Sequence, residues 1–249
     1  MNGKRACRNC LREMSMAGNL YLGFDLGASS GRAVLGSLQG RRLAIREVAR
    51  FANSPSRLGD RLYWDFLALW TKVLDAMRRC AEQGGRRLSG VGVDTWGVDF
   101  GLLGGDGRLV GNPLCYRDAV TEGIEQVLGS AIGEKDLYRL TGWPVSRVST
   151  LSQLAALSRG DGAGMLRSAK TLLMMADLFR YFLSGHIAAE LTAAGSSQLL
   201  DVRSAKWCPQ VFKTLRLPRR IMPEIVKPAT VVGQLRQELE AQTGLRRVP

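Results

Sequence analysis

The chain contains one histidine, and few of its cysteines lie close together in the sequence. The single histidine, His186, has no partner nearby in the sequence, so we expect a surface or turn position for it rather than catalysis. Of five cysteines, only Cys7 and Cys10 are close together, with no second pair and no histidine beside them. A tetrahedral zinc site needs four ligands, so we expect none there. An odd cysteine count without a secretory signal predicts reduced thiols and a cytoplasmic protein.

Three further absences exclude whole classes of protein. No apolar stretch is long and free enough of charge to span a bilayer, which predicts no membrane partner. No Gly-Lys-Ser or Gly-Lys-Thr occurs, which excludes the Walker A phosphate loop. The run Gly-Val-Gly-Val-Asp-Thr-Trp-Gly at residues 90–97 lacks the glycine spacing of a dinucleotide fingerprint.

Positive charge is abundant: 35 lysines and arginines stand against 22 acidic residues, for a net charge of +13. Such a balance raises the affinity for anions in general. The arginines are dispersed along the chain, however, and no nucleic-acid-binding motif is present. We therefore expect small anionic ligands and no nucleic-acid partner.

The most informative segment follows the first apolar run. That run ends at Asp25, the small residues 27–31 come next, and Arg32 precedes a second apolar run. The pattern predicts strand, turn, strand. Backbone N–H groups of a glycine-rich turn can converge on phosphate oxygens, helped by the hydroxyls of Ser29 and Ser30 and by the Arg32 cation. Asp25 could hold a hydrated divalent metal. The alternative is a polar hairpin without a ligand.

The first hundred residues are predicted to be rich in strands. Apolar alternation predicts antiparallel strands at 20–25, 33–38 and 43–51, then a loop at 51–61. An amphipathic helix is predicted from Phe66 to Met77, capped near Asp65 and ended by two glycines. Short strands are predicted at 88–93 and 98–103.

The rest of the chain is predicted to be mostly helical. Residues 189–199 fit neither period, and the prolines of 216–228 predict an extended or looped segment. The predicted helices are 120–132, 134–140, 151–158, 174–183, 206–215 and 235–243.

Three blocks together resemble a known family. They are Asp-Leu-Gly-Ala-Ser-Ser-Gly-Arg at 25–32, Gly-Val-Asp-Thr-Trp-Gly-Val-Asp-Phe-Gly-Leu-Leu at 92–103, and Gly-Asn-Pro-Leu-Cys-Tyr-Arg-Asp at 111–118. In this order and spacing they resemble the FGGY family of sugar kinases, within the actin-like ATPase superfamily. The resemblance runs from about Leu20 to the end of the chain. It implies an α/β fold, a ribonuclease-H-like domain with a mixed sheet and inserted helices over 19–249. Residues 1–18 are expected to be a disordered tail or an over-long start.

The resemblance also implies a division of labour among the residues. Phosphate contacts with ATP are implied for Ala28, Ser29, Ser30, Gly31 and Arg32. A role for Asp25 in organising Mg²⁺, through water, is implied as well; its alternative is a strand-end carboxylate that caps the turn.

The second block is expected to line the sugar pocket. Gly97 is the strongest candidate for sugar contact, because a residue without a side chain lets a hydroxyl reach the backbone. Trp96 could offer a flat face to the sugar or be part of the core. Asp94 and Asp99 could each accept hydrogen bonds from sugar hydroxyls or be buried structural carboxylates. Residues 116–118 could border the same cleft, with an ion pair between Arg117 and Asp118 as the alternative.

One part of the family's machinery is not found in the sequence. The family's general base sits in a Gly-His-Asp-Thr-like motif, and none occurs before the last residue, Pro249. We therefore expect the base and a carboxy-terminal nucleotide-covering domain beyond this chain, and no useful turnover by the chain alone. The cleft face should then be exposed or covered by a second copy. The alternatives are a binding remnant without catalysis and a structural ATPase relative of actin or chaperones, against which the sugar block argues.

Overall fold

A computed structural model describes residues 19–85 and 88–249 of the chain. The tail predicted for residues 1–18, with Cys7 and Cys10, lies outside the described residues. The chain begins with five strands: β1 Asn19–Leu26, β2 Ser30–Gln39, β3 Arg42–Ala52, β4 Pro55–Leu58 and β5 Arg61–Trp64. Strands β1, β2 and β3 pair in antiparallel fashion, as predicted.

The loop predicted for 51–61 is wrong, because β4 and β5 form a second hairpin there. Gly59 lies in its turn with a φ of 62°, which suits a residue without a side chain. A proline at position 55 is typical of a loop as well as of a strand start. It is the first residue of its strand, a position that tolerates a missing N–H.

Helix α1 Phe66–Cys80 follows and packs on the sheet. The carboxylate of Asp65 accepts a hydrogen bond from the N–H of Ala68 at 3.0 Å, which confirms the predicted cap. Strand β6 Gly90–Thr95 then pairs parallel to β1, so the main sheet has the order β3-β2-β1-β6. The first core lies between the buried face of this sheet and α1, and apolar residues from 173–183 and 235–248 complete it.

The next part of the chain forms a second, mainly helical layer. Strand β7 Phe100–Leu103 pairs with β8 Thr171–Met174 rather than with the main sheet. The helices between them are α2 Ile124–Ala131, α3 Glu134–Thr141, α4 Thr150–Arg159 and α5 Ala163–Ser168. After β8 come α6 Met175–Ser184, β9 Ala189–Glu190, α7 Leu191–Ser196, β10 Leu200–Asp201, β11 Lys206–Trp207, α8 Pro209–Leu215, β12 Ile225–Val226 and α9 Gln237–Thr243.

Local backbone rules explain where these helices differ from prediction. Helix α2 begins at Ile124 instead of residue 120, because Gly123 is left-handed with a φ of 75°. Helix α8 begins at Pro209, since proline suits the first helical turn. A left-handed Gly244 ends α9, as predicted. The second core surrounds α4, whose residues are buried from Thr150 to Leu157.

Three cysteines lie in the described part of the chain, and all are buried and unpaired: Cys80, Cys115 and Cys208. His186 is exposed in the turn after α6, as predicted. Within residues 19–85 and 88–249, no helix has both the length and the apolar composition to cross a bilayer.

Candidate functional site

The side chain of Asn53 supports the turn between β1 and β2 through a hydrogen bond to its backbone. The N–H of Gly27 donates to the carbonyl of Ser30 at 2.9 Å and closes the turn. Asn53, buried at the end of β3, donates its side-chain amide to the carbonyl of Gly27 at 2.8 Å and its backbone N–H to that of Ser29 at 3.0 Å. Sequence reasoning missed Asn53. The one available signal was a polar amide directly after a strand.

The upper side of this turn faces solvent. Ser29, Ser30 and Arg32 are exposed. Within the described parts of the chain, nothing accepts the backbone N–H of Ala28 or Ser29. Gly31 is buried, and a Cβ added there would lie 2.4 Å from the ring of Phe51. The turn is therefore a surface feature whose donors are available to an anion.

Asp25 and Arg32 are partners across the β1–β2 pairing and form an ion pair. The guanidinium Nη2 lies 2.6 Å from Oδ2 of the carboxylate, and Nε donates to the same oxygen at 2.7 Å. Both side chains are about half exposed, at 49% for Arg32 and 46% for Asp25. Exposed pairs of this kind contribute about 0–1 kcal/mol, so either group can exchange its partner for an external ion at small cost.

Two predicted motifs meet at one edge of the main sheet. Asp25 on β1 is the register partner of Asp94 on β6, and parallel pairing places both side chains on the same face. The N–H of Trp96 donates to the carbonyl of Leu26 at 2.9 Å just beyond them. No group of three potential metal ligands occurs in the described residues. Two neighbouring carboxylates still suit Mg²⁺, which keeps most of its waters and needs only one or two protein ligands.

A cleft of about 770 Å³ opens beside this edge. Its walls come from the whole length of β6, the first half of β1, the junction of β8 with α6, helix α7, the loop 229–235 and Pro249. Asp94, Trp96 and Gly97 line it. A Cβ added to Gly97 would lie 3.7 Å from the hydroxyl of Ser196 on the far wall, so a side chain there would project into the space. The volume falls within the range of small-molecule sites.

Asp99 does not line the cleft; it is fully buried. Its Oδ2 accepts the indole N–H groups of Trp64 at 2.5 Å and Trp96 at 2.8 Å, and its Oδ1 accepts the amide of Gln153 at 2.8 Å. Burial raises the pKa of Asp99 to about 6, because these hydrogen bonds compensate only part of the cost of removing its charge from water. Of the two alternatives left open for Asp99, the structure shows the buried carboxylate.

The backbone between Gly97 and Asp99 has an unusual conformation. Val98 has a φ of 70°, which is rare for a β-branched residue. Its carbonyl accepts the hydroxyl of Thr150 at 2.7 Å and the amide of Gln153 at 3.3 Å, both from α4. This strained peptide directly follows the residue that faces the cleft.

The opposite wall holds a buried acid that sequence reasoning missed. Asp177, in the first turn of α6, pairs with Arg180 at 2.9 Å and accepts the N–H of Glu190 at 3.1 Å. Burial raises the pKa of Asp177 to about 7, although the nearby Arg180 acts to lower it. The available signal was an acidic residue within the apolar run at 171–179.

The third block lies outside the cleft lining. Asp118 is buried and accepts the N–H groups of Leu62 at 2.5 Å and Val120 at 2.8 Å. Its ionic partner is Arg61 at 3.5 Å, so the alternative of an ion pair with Arg117 is wrong. Arg117 lies instead over the ring of Tyr116, 5.0 Å from its centroid. Asp118 thus fastens the β4–β5 hairpin through Arg61 and Leu62.

Comparison with known proteins gives a consistent match. Residues 20–249 match the model of the FGGY family of carbohydrate kinases, N-terminal domain. The rhamnulokinase of Bacteroides thetaiotaomicron is 35% identical over 229 residues, which are 92% of this chain and 47% of that protein. The rhamnulokinase of Oceanobacillus iheyensis is 32% identical, over 90% of this chain and 47% of that protein. The chain thus spans about half the length of the curated relatives it matches.

Solved structures confirm the predicted fold class. A gluconate kinase from Lactobacillus acidophilus superposes with a TM-score of 0.81 at 16% identity, over 92% of this chain and 46% of that one. A xylulose kinase from Rhodospirillum rubrum gives 0.79 at 19% identity, over 92% and 48%. The mixed main sheet with its inserted helices is the fold that this chain shares with these sugar kinases.

Proposed function

We propose that this chain, which belongs to the FGGY family of carbohydrate kinases, supplies the sugar- and ATP-binding amino-terminal half of a rhamnulokinase. The reaction would transfer the terminal phosphoryl group of ATP to the 1-hydroxyl of L-rhamnulose. The observation that carries the proposal is the register pairing of Asp25 with Asp94, which places the phosphate turn beside the sugar block. The choice of sugar is supported by the relatives at 35% and 32% identity.

The β1–β2 turn supplies the phosphate contacts in this proposal. Phosphoryl transfer needs positioning and charge neutralisation more than covalent chemistry from the protein. The N–H groups of Ala28 and Ser29, which have no acceptor among residues 19–85 and 88–249, and the hydroxyls of Ser29 and Ser30 are suitable donors. Arg32 can leave its exposed pair with Asp25 for a phosphate oxygen. Buried Gly31 holds the turn close to the sheet.

Asp25 would hold Mg²⁺ through water, with the carboxylate of Asp94 beside it. When bound, the metal would neutralise negative charge on the phosphate groups of the nucleotide. The contribution of the chain is to place two carboxylates at one edge of the sheet, where the departure of Arg32 would leave Asp25 free to face a cation.

The sugar would lie in the cleft against residues 94–97. Asp94 is exposed and can accept hydroxyl hydrogen bonds, while Trp96 is partly buried and can offer part of its ring. The missing side chain of Gly97 leaves room for a hydroxyl to approach the backbone. Asp99 is not part of this contact set, because its oxygens are occupied in the interior.

We expect binding by these 249 residues without turnover. No Gly-His-Asp-Thr-like motif occurs among them, so no residue of the chain is proposed as the general base. A kinase assay tests this directly, and turnover comparable to that of an intact sugar kinase would contradict it. A remnant that binds sugar without any kinase partner is the second reading, and it predicts the same binding.

Ligand binding is tested by thermal unfolding with L-rhamnulose, L-fuculose, D-xylulose and glycerol, and with Mg²⁺ and ATP. A ligand at about 100 times its Kd should stabilise the fold by about 2.7 kcal/mol. Gly97→Val should remove the response to sugar and keep that to nucleotide, because its side chain would enter the cleft. Gly36→Val, on β2 outside the cleft lining, is the matched control. No response to any sugar would contradict the proposal, and a larger response to L-fuculose or D-xylulose would move the specificity to that sugar.

A further inference from the structure

We propose that Asp99 is a positioning residue that holds the sugar-facing peptide 96–98 in its binding conformation, by clamping Trp96 and supporting the left-handed Val98. The inference rests on the proposed function, since it assigns a role in the same cleft to a residue that does not touch the cleft. Asp99 itself would not touch the sugar, because its side chain is fully buried.

The clamp joins three distant parts of the chain. Trp64 ends β5, Trp96 follows β6, and Gln153 lies in α4; each directs an N–H at the Asp99 carboxylate, at 2.5 to 2.8 Å. The two indoles are also in ring contact, with centroids 4.3 Å apart. The orientation of Trp96 is therefore set by one hydrogen bond and one ring contact that both converge on the buried acid.

The backbone on either side of the carboxylate is held as well. The N–H of Asp99 donates to the carbonyl of Gly97 at 3.0 Å, and the carbonyl of Asp99 accepts the N–H of Met175 at 3.1 Å. Gln153 links the carboxylate to the left-handed backbone, because its amide donates hydrogen bonds both to the Asp99 carboxylate at 2.8 Å and to the Val98 carbonyl at 3.3 Å. A left-handed valine persists only where its surroundings determine it in this way.

Stability alone gives no reason for a carboxylate at this place. A buried charge is costly to remove from water, and apolar packing of similar volume is often at least as stable. The raised pKa of Asp99 is a sign of that cost. A carboxylate only accepts hydrogen bonds when it is ionised. It therefore suits this place, where three N–H donors converge.

The test compares Asp99→Asn with two tryptophan variants in the full chain. Asparagine keeps the shape but places an NH₂ group where a donor already points, so it cannot accept all three hydrogen bonds. Trp64→Phe removes one donor to Asp99 and keeps a ring. Trp70→Phe is the matched control, since Trp70 packs against Phe182 away from the clamp. Calorimetry measures the Kd of L-rhamnulose and of Mg²⁺-bound nucleotide, and NMR follows the indole N–H of Trp96 and the amide exchange of residues 96–98.

We expect Asp99→Asn to weaken L-rhamnulose binding about tenfold and to leave nucleotide binding unchanged, since the loss of one hydrogen bond to a charged group has that size. The Trp96 indole resonance should shift, and the amides of 96–98 should exchange faster while those of β1 stay protected. Trp64→Phe should act in the same direction and Trp70→Phe should not.

Unchanged indole and amide signals in Asp99→Asn would overturn the inference, as would an equal loss of sugar and nucleotide affinity. If Asp99→Asn fails to fold, Trp64→Phe decides by the same readouts. If the parent chain binds no sugar, the proposed function fails, and the NMR readouts still decide whether Asp99 holds the peptide.

Discussion

The proposed phosphate turn at 27–30 and the proposed sugar block at 94–99 lie at the same edge of one sheet and are held in different ways. The turn rests on backbone pairing and Asn53, and its charged pair is half exposed. The sugar block is anchored by a carboxylate with no exposure at all. The difference agrees with the proposed roles: a phosphate site would exchange charged partners and can use weak exposed pairs, whereas a sugar site would keep its shape through a buried network.

The largest expected contrast is between the two aspartates of these regions. Asp99→Ala leaves the indole N–H groups of Trp64 and Trp96 without their acceptor and removes one of the acceptors of Gln153, and it should lower the free energy of unfolding by about 4 kcal/mol. Asp25→Ala breaks an exposed pair and should cost less than about 1 kcal/mol. Urea unfolding of both variants measures the difference. Equal losses would show that the two regions do not differ in this way.

The pH dependence of stability should sharpen the same contrast. The pKa of Asp99 rises from an ordinary 3.8 to about 6 on folding, so the folded chain binds this proton more tightly than the unfolded chain. The stabilisation is fully present below pH 4 and is lost as the pH rises through 6, which amounts to about 3 kcal/mol. Asp177, with its pKa raised to about 7, acts in the same direction.

The chain should accordingly be more stable in urea at pH 5 than at pH 8. Asp99→Asn should make stability depend less on pH. The raised pKa of Asp177, which this variant keeps, should account for the dependence that remains. The carboxyls with lowered pKa, at Glu47, Glu190 and Asp201, lose their contribution only at lower pH, so the window from 5 to 8 is free of them. A parent chain that gains stability from pH 5 to 8 would refute the assignment.

Within the turn, packing beneath it should matter more than the charge above it. Gly31→Ala would place a Cβ 2.4 Å from the Phe51 ring and should cost about 2 kcal/mol through overpacking. Gly36→Ala on the same strand meets nothing closer than 3.8 Å and should change stability by less than about 1 kcal/mol. Thermal unfolding compares the two. If Gly31→Ala left the stability unchanged, the ring of Phe51 would have to move aside without cost.

The smallest effect on stability is expected for Arg32→Gln. Its exposed pair should contribute less than about 1 kcal/mol to folding. Nucleotide affinity should nevertheless fall about tenfold, as expected for one charged hydrogen bond to phosphate. Arg139→Gln, which removes an exposed pair with Asp136 on α3, is the matched control. Calorimetry with Mg²⁺ and ATP separates them, and an equal response would remove Arg32 from the phosphate site.

Local patterns predicted the elements whose causes are local. The antiparallel strands β1 to β3, the cap of α1 at Asp65 and the stop of α9 at Gly244 each follow from a few neighbouring residues. The β4–β5 hairpin was missed because Pro55 punctuates loops and strand starts alike. Strand β8 was missed because four apolar residues beside a helix do not distinguish the two periods, and its partner β7 lies about 70 residues earlier.

The features of the candidate site also separate into those with local causes and those that depend on residues distant in the sequence. The sequence by itself determined the glycine-rich turn, its charged flanks and the sugar block, because each is a contiguous run whose chemistry is local. Only the tertiary structure decided that Asp25 lies beside Asp94, that Asn53 supports the turn, and that Asp99 is inside. Two of the three side-chain partners of Asp99 lie 35 and 54 residues away in the sequence, and a hydrogen bond across that distance depends on how the layers pack rather than on which residues are neighbours.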